Sequence, residues 1–505
     1  MATTGDWVTP RLYGQPWFEK PVLYYWMAAA GFLLHLPAEW AARLPSALAA
    51  LVAAITVGWL GWKFYGNEEV FERTPAALAP LVFSASVATI GFARAATPDM
   101  LFSAAVALAM ASAAHVLQSL GALRSMAGAS NTLARDRLAL TLFGVCVGLA
   151  VLAKGPAGVI LAAGAISLWA VATKRWPAAL RLAHPVAIVA FCVIALPWYV
   201  LCALRNPGFL RIFIFQHNFE RYLTPLFEHR QPFWFFGPII LLAVLPWTAL
   251  LWPAARLALK MWREKAWDQS PGFFFACWAL FPVLFFSFSE SKLPGYILPA
   301  IPALALLLGA ALACVAGKGL PHGDKRAARL AVALGLTWLV LGAGVLLWLR
   351  RLSPVMRDDL KSSILLSGGI AVAGGIAIAL SGIVQKRIPV LLMIALTVLS
   401  VEIAGMRILP SLDPYLSARW HAEFLRNDAH PDRIFTYQLP RAWTYGLAFY
   451  LGRELPEWNP GDPESALVLT TPKGLEEMTK MGRFQGELEE NYKGILYVPA
   501  FPAPR

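Results

Sequence analysis

The chain has 505 residues, of which 58% are apolar and 14% charged, with a mean hydropathy of +0.57 and 20 tryptophans. Soluble domains carry about a quarter charged residues, so a water-soluble enzyme is excluded, as are disordered and collagen-like chains. The 43 Lys and Arg outnumber the 30 Asp and Glu, giving +13; these cations sit between apolar runs, which speaks for membrane orientation and against nucleic-acid binding.

A helix crossing a bilayer needs about 20 mainly apolar residues. The first apolar run, Val22 to Leu36, is only 15 residues long and opens with Tyr24, Tyr25 and Trp26, which predicts a helix lying at the interface. Twelve later runs predict crossings near 44–62, 75–93, 99–118, 138–153, 155–173, 182–203, 233–253, 271–289, 295–317, 327–349, 363–383 and 388–409. Cys146, Cys192, Cys202, Cys277 and Cys314 lie in or beside these runs without metal spacing and read as small core residues.

One alternating set of connections holds 18 Lys and Arg and the other 11, so the richer set is assigned to the cytoplasm. With twelve crossings both termini face outward, so either the Val22 run crosses after all or a helix that would precede Met1 is lacking, and the second is the expectation that the family likeness described below favours. From residue 411 the composition becomes that of a soluble domain. Helices over 421–427 and 475–481 alternate with strands over 433–439, 466–470 and 495–498, which predicts a small α/β domain, residues 411–505, after a membrane part of residues 1–410.

The polar residues that apolar context does not explain gather on the outward side. Lys154 interrupts an almost continuous apolar stretch, where an ammonium is costly unless it meets an anion or reaches water. Lys20, Arg94, Arg221 and Lys292 share its side, and such a group of cations suits a phosphate or pyrophosphate head group. Asp6, Glu19, Asp99, Glu220 and Glu290 offer acid and base groups beside it, although ion pairing explains any one of them as well. His217 and His229 are twelve residues apart and make no two-histidine zinc motif.

Taken in order, Gly5-Asp6-Trp7, Glu19-Lys20-Pro21 with Leu23-Tyr24-Tyr25-Trp26, Ala42-Arg43-Leu44-Pro45-Ser46, Thr97-Pro98-Asp99, Ala153-Lys154-Gly155-Pro156, Pro197-Trp198-Tyr199, His217-Asn218 and Ser291-Lys292-Leu293-Pro294 with Tyr296 carry a family likeness. The chain resembles the polytopic GT-C glycosyltransferases that use polyprenyl-phosphate sugars, most nearly the aminoarabinose transferases acting on lipid A, and more distantly the protein O-mannosyltransferases. The resemblance implies an all-α polytopic fold of thirteen helices with a periplasmic C-terminal domain in a bacterial inner membrane. It also implies a polyprenyl-phosphate-linked sugar as donor and a lipid or glycan as acceptor.

By the same resemblance Lys20 and Lys154 engage the donor phosphate, and Glu19 with His217 is a candidate pair for a divalent metal. Asp99 takes the acidic position after the Thr-Pro step, Tyr296 contacts the donor, and Asp99 and Glu19 are the catalytic candidates. Tyr24, Tyr25, Arg94, His217, Arg221 and Lys292 complete the expected substrate contacts. Members of the family carry an acidic residue, Arg and Tyr after a first helix, ahead of the stretch that begins here at Met1, so an N-terminally incomplete and inactive homologue is one rival reading. A lipid or solute transporter is the other.

Overall fold

A computed structural model describes residues 1–65, 74–123, 133–220, 222, 230–263, 267–316, 325–384, 388–426, 434–459, 466–482, 490–492 and 495–500. Helix dominates because, in hydrocarbon, only a helix or a closed barrel satisfies every backbone N–H and C=O without water. Among the described residues seven helices are long and apolar enough to cross a bilayer: Ala38–Tyr65, Asp99–Ser119, Asp136–Lys154, Pro185–Arg205, Pro294–Ala313, Ala328–Arg351 and Met356–Ser381. Phe233–Ala243 and Trp247–Arg263, bent by 111° from one another, make an eighth if they count as one span.

Twelve crossings were expected, and among the described residues the remaining runs give shorter or broken helices. The run near 75–93 breaks into helices Thr74–Ser84 and Val87–Arg94. Ala157–Thr173 and Pro271–Ser287 each stop at 17 residues, the first at Lys174 in a left-handed conformation. The last run is helical over Ile388–Ile403 and then widens into a π-helical turn, Ala404–Ile408. Apolar content measures how much chain can sit in lipid; turns inside it decide how many helices result.

The chain divides into two compact units, Met1–Val340 with Ala373–Thr397, and Leu341–Val372 with Val398–Arg505. The first opens with a hairpin of β1 (Arg11–Leu12) and β2 (Gln15–Pro16). Its two turn residues, Tyr13 and Gly14, both have positive φ, as a type I′ turn requires. There follow α1 (Leu23–Leu33), α2 (Ala38–Tyr65), α3 (Thr74–Ser84), α4 (Val87–Arg94), α5 (Asp99–Ser119), α6 (Leu133–Lys154), α7 (Ala157–Thr173), α8 (Trp176–Leu180) and α9 (Pro185–Arg205). At eleven residues α1 is too short to cross.

Apolar on every side, α5 is central to this unit, and Met100, Phe102, Met110 and Leu117 on it are at most 1% exposed. It packs beside α2 and α6, and α6 packs in turn on α9. Small residues permit that approach, as they do between helices in lipid generally. A Cβ added to Gly144 of α6 would overlap the carbonyl oxygen of Ala187 on α9, which is backbone and cannot swing aside. We expect Gly144→Ala to lower the thermal midpoint in detergent by several degrees, a loss of about 1–3 kcal/mol from overpacking. An unchanged midpoint would mean that α6 and α9 do not touch there.

In the second unit a four-stranded sheet has the order β3 (Ile434–Tyr437), β4 (Ala466–Thr470), β6 (Ile495–Ala500), β5 (Glu490–Tyr492), with β3 parallel to β4 and the other pairs antiparallel. Helix Arg441–Leu451 falls between the parallel strands in sequence, and together with helix Arg419–Arg426 it covers a core of Ala422, Leu425, Ile434, Leu447 and Leu469. Expected and observed elements agree here except for helix Arg441–Leu451 and the short β5. The first carries five aromatic or glycine positions in eleven residues, which hides its helical period.

Candidate active site

Opposite charges meet where two helices end. Asp99 opens α5 and Lys154 closes α6, and because these neighbours are joined in sequence end to start, both residues lie at the same end of the pair. A carboxylate at a helix N-terminus and an ammonium at a C-terminus each face the favourable pole of the helix dipole. Gly155, at φ +78°, stops α6 directly after Lys154, and its N–H donates to the carbonyl of Val151 at 2.8 Å.

The Lys154 ammonium is bonded to Asp99 Oδ1, with 11% and 20% of the two side chains exposed. Aromatic faces enclose the cation: its Nζ lies 5.0 Å from the ring centre of Tyr296 and 5.5 Å from that of Phe102. Tyr296 stands on a 3₁₀ turn, Pro294–Ala300, brought close by Gly295. A Cβ on Gly295 would come within 2.7 Å of the Phe92 ring and 3.7 Å of the Asp99 carboxyl carbon, so a larger residue would require the Phe92 ring to move. Hydrogen bonds from Ser46 Oγ to the Thr97 carbonyl (3.0 Å) and from Ser103 Oγ to the Leu298 carbonyl (3.1 Å) hold the flanking backbone. Lys20 lies within electrostatic reach of Asp99.

Beside Lys20 stand Glu19 and the tyrosines of α1. Tyr24 donates to the Ala42 carbonyl at 2.6 Å, and its ring meets that of Tyr25 edge-on at 6.1 Å. Burial, with Glu19 and Tyr24 close by, pushes the Tyr25 phenol up to about 12, so at neutral pH it is a hydroxyl donor.

Asp6 is part of a different arrangement. Its Oδ1 accepts the backbone N–H groups of Val8 (3.0 Å) and Thr9 (3.1 Å), and Arg205 and Arg11 approach its carboxylate at 3.4 and 3.7 Å. The Thr9 N–H above all, then Val8, Arg205 and Arg11, hold this carboxyl below the usual range against its partial burial. Trp198 Nε1 donates to the Val8 carbonyl (2.9 Å), Asn206 Nδ2 to Thr9 Oγ1 (2.9 Å) and Trp26 Nε1 to the Trp7 carbonyl (2.8 Å). The opening segment is thereby tied to α1 and to the end of α9.

Lys292, only 6% exposed, donates to the carbonyls of Gln231 (2.9 Å) and Ser289 (2.5 Å). Nearby, Arg230 pairs with Glu290 at 3.2 Å and the Glu290 N–H donates to the Tyr222 carbonyl at 2.9 Å. Lys292 thus clamps two loops together, and no hydrogen bond among the described residues joins it to Lys154. Arg94 is exposed at the end of α4, and Glu220 is exposed at the end of a π-helix, Arg211–Glu220. His217 falls in that π-helix with its side chain outside the described residues, where Arg221 and His229 also lie. Among the described residues no group of three His, Cys, Asp or Glu could hold a metal ion, so the expected Glu19–His217 metal pair gains no support.

Phe102 and Phe92 escaped the sequence reading, since one more phenylalanine in an apolar run carries no signal. For Phe102 a cue existed: it lies three residues after Asp99, on the same helix face.

Against known proteins, the family model described as dolichyl-phosphate-mannose-protein mannosyltransferase matches residues 1–213. The undecaprenyl phosphate-alpha-4-amino-4-deoxy-L-arabinose arabinosyl transferase of Pseudomonas aeruginosa is 31% identical over 380 residues, 74% of this chain and 64% of that protein. Its namesake from Edwardsiella ictaluri is 31% identical over 308 residues, 61% of this chain and 52% of that one. The chain therefore spans between about half and two thirds of the length of these curated relatives. The crystal structure of ArnT from Cupriavidus metallidurans bound to undecaprenyl phosphate superposes with a TM-score of 0.77 at 21% identity, over 99% of this chain and 91% of that one.

The chain has the ArnT fold, of GT-C type. It is a multi-pass membrane protein whose segment 1–213, the part that the family model matches, carries Lys20, Asp99 and Lys154, while Tyr296 reaches Lys154 from beyond that segment.

Proposed function

We propose that the chain transfers a sugar from a polyprenyl-phosphate-linked donor to an envelope lipid at the outer face of the bacterial inner membrane. The observation that carries this reading is the enclosed Lys154–Asp99 pair under Tyr296, with Lys20 in reach. A buried cation at a helix end, held in place by a carboxylate, is preorganised for charge that grows on a leaving phosphate. In this reading Lys154 and Lys20 hold the phosphate, and Tyr296 and Phe102 wall the cation from water. Asp99 orients Lys154, while Asp99 or Glu19 takes the proton of the acceptor. Residues 1–410 form the transferase part, and residues 411–505 a soluble domain on the same outer side that docks the acceptor. Because the named relatives use undecaprenyl phosphate-linked aminoarabinose, that donor is the first to try, with lipid A as acceptor.

The test incubates membranes containing the chain with a panel of polyprenyl-linked sugars and follows product mass. A lipid gaining the mass of one sugar is the expected result. Movement of intact donor across the bilayer without a covalent product would overturn transfer in favour of transport.

A further inference from the structure

Helix Leu251–Arg263 has no buried residue although it belongs to the membrane unit. Trp252, Leu259 and Trp262 are 66%, 52% and 63% exposed. At about 100° per residue, Arg256, Lys260 and Arg263 fall within an arc of about 60°, and Trp252, Leu259 and Trp262 occupy the adjoining arc of about 80°. Ala254, Leu257 and Met261, which are less exposed, fill a third face, on the side opposite these apolar residues. The Arg256 guanidinium lies 4.8 Å from the Trp252 ring centre, so the cationic and apolar stripes meet in a stacked pair.

Position agrees with this division. The segment Trp247–Arg263 turns 111° away from Phe233–Ala243, so the two do not continue as one straight span. Ser270 Oγ lies 3.9 Å from Met261 Sδ, and Asp268 pairs with Arg175 at 3.3 Å. Arg175 and Asp268 come from two different connections that the Lys and Arg count assigns to one side, the richer one. Their pairing puts the connection after this helix beside the one that holds Arg175, in keeping with the single side to which the count assigns both.

We propose that this helix lies in the headgroup layer on the Lys- and Arg-rich side and binds anionic phospholipid, its tryptophans among the upper acyl chains and Arg256, Lys260 and Arg263 on the headgroup phosphates. Exposed apolar and cationic stripes side by side on a short helix match such an interface, where basic residues draw the helix toward anionic lipid. The proposal is independent of sugar transfer, because none of these residues belongs to the candidate active site.

The experiment uses the full chain in nanodiscs containing phosphatidylcholine and phosphatidylglycerol in equal amounts, with brominated acyl chains on one lipid at a time. Quenching attributable to Trp252 and Trp262 is the part absent from W252F/W262F. Brominated phosphatidylglycerol is expected to quench it more than brominated phosphatidylcholine by about twofold or more, with the ratio falling toward one in R256Q/K260Q/R263Q. Raising the salt concentration should collapse the ratio in the unaltered chain, a reading that needs no variant to fold. Equal quenching by the two lipids, or absence of quenching because a second copy or another protein covers the helix, would overturn the proposal.

Discussion

Lys154→Ala is expected to abolish the proposed sugar transfer, with a loss of at least about 10²–10³-fold in kcat, the effect of removing one preorganised donor from developing negative charge. The single variant does two things at once, however. It strips Asp99 of the ammonium that neutralises it in a largely enclosed site, and breaking such a pair costs about 3–5 kcal/mol. Adding Asp99→Asn removes the stranded charge, so the double variant should recover most of the thermal midpoint in detergent while transfer stays absent. If transfer returned with stability, Lys154 would be there to neutralise Asp99, and phosphate engagement would have to be given to another residue.

Asp99→Asn alone separates the carboxylate's own part. The amide keeps the shape of the side chain at the head of α5 but lacks the charge that fixes Lys154. Lys154 then remains free to meet a phosphate, so retention of polyprenyl phosphate should hold or improve while kcat falls by about 10²–10⁴, the range for a lost general base. Binding is measured by competition with labelled polyprenyl phosphate and turnover by product mass. A fall in binding with unchanged kcat would make Asp99 part of the donor's seat with no share in the chemistry. Glu19→Gln in the same assays shows whether the second carboxylate takes the proton instead.

Much of the second unit was legible from residue order alone, because strands such as Ala466–Thr470 and helices such as Pro472–Lys480 are written in short-range alternation bounded by turn residues. In the membrane unit the same local reading did not foresee where apolar runs break into shorter helices. Hydropathy is a sum over a window, and it is blind to the break between Thr74–Ser84 and Val87–Arg94 and to the bend after Ala243.

By itself the sequence determined that the chain lives in a bilayer, that its unexplained polar residues gather on one side of it, and that Lys154 needed an anion or a path to water. Those conclusions follow from transfer energies, which are properties of single residues and their immediate neighbours. Only the tertiary structure decided which anion it meets: Asp99, 55 positions away, under a tyrosine from a turn that Gly295 lets approach. It also gave Lys292 two backbone carbonyls as partners, and Asp6 the backbone and arginines that pin the opening segment. Charge pairing acts over a few ångströms in space, and distance along the chain carries no measure of it until the helices are packed.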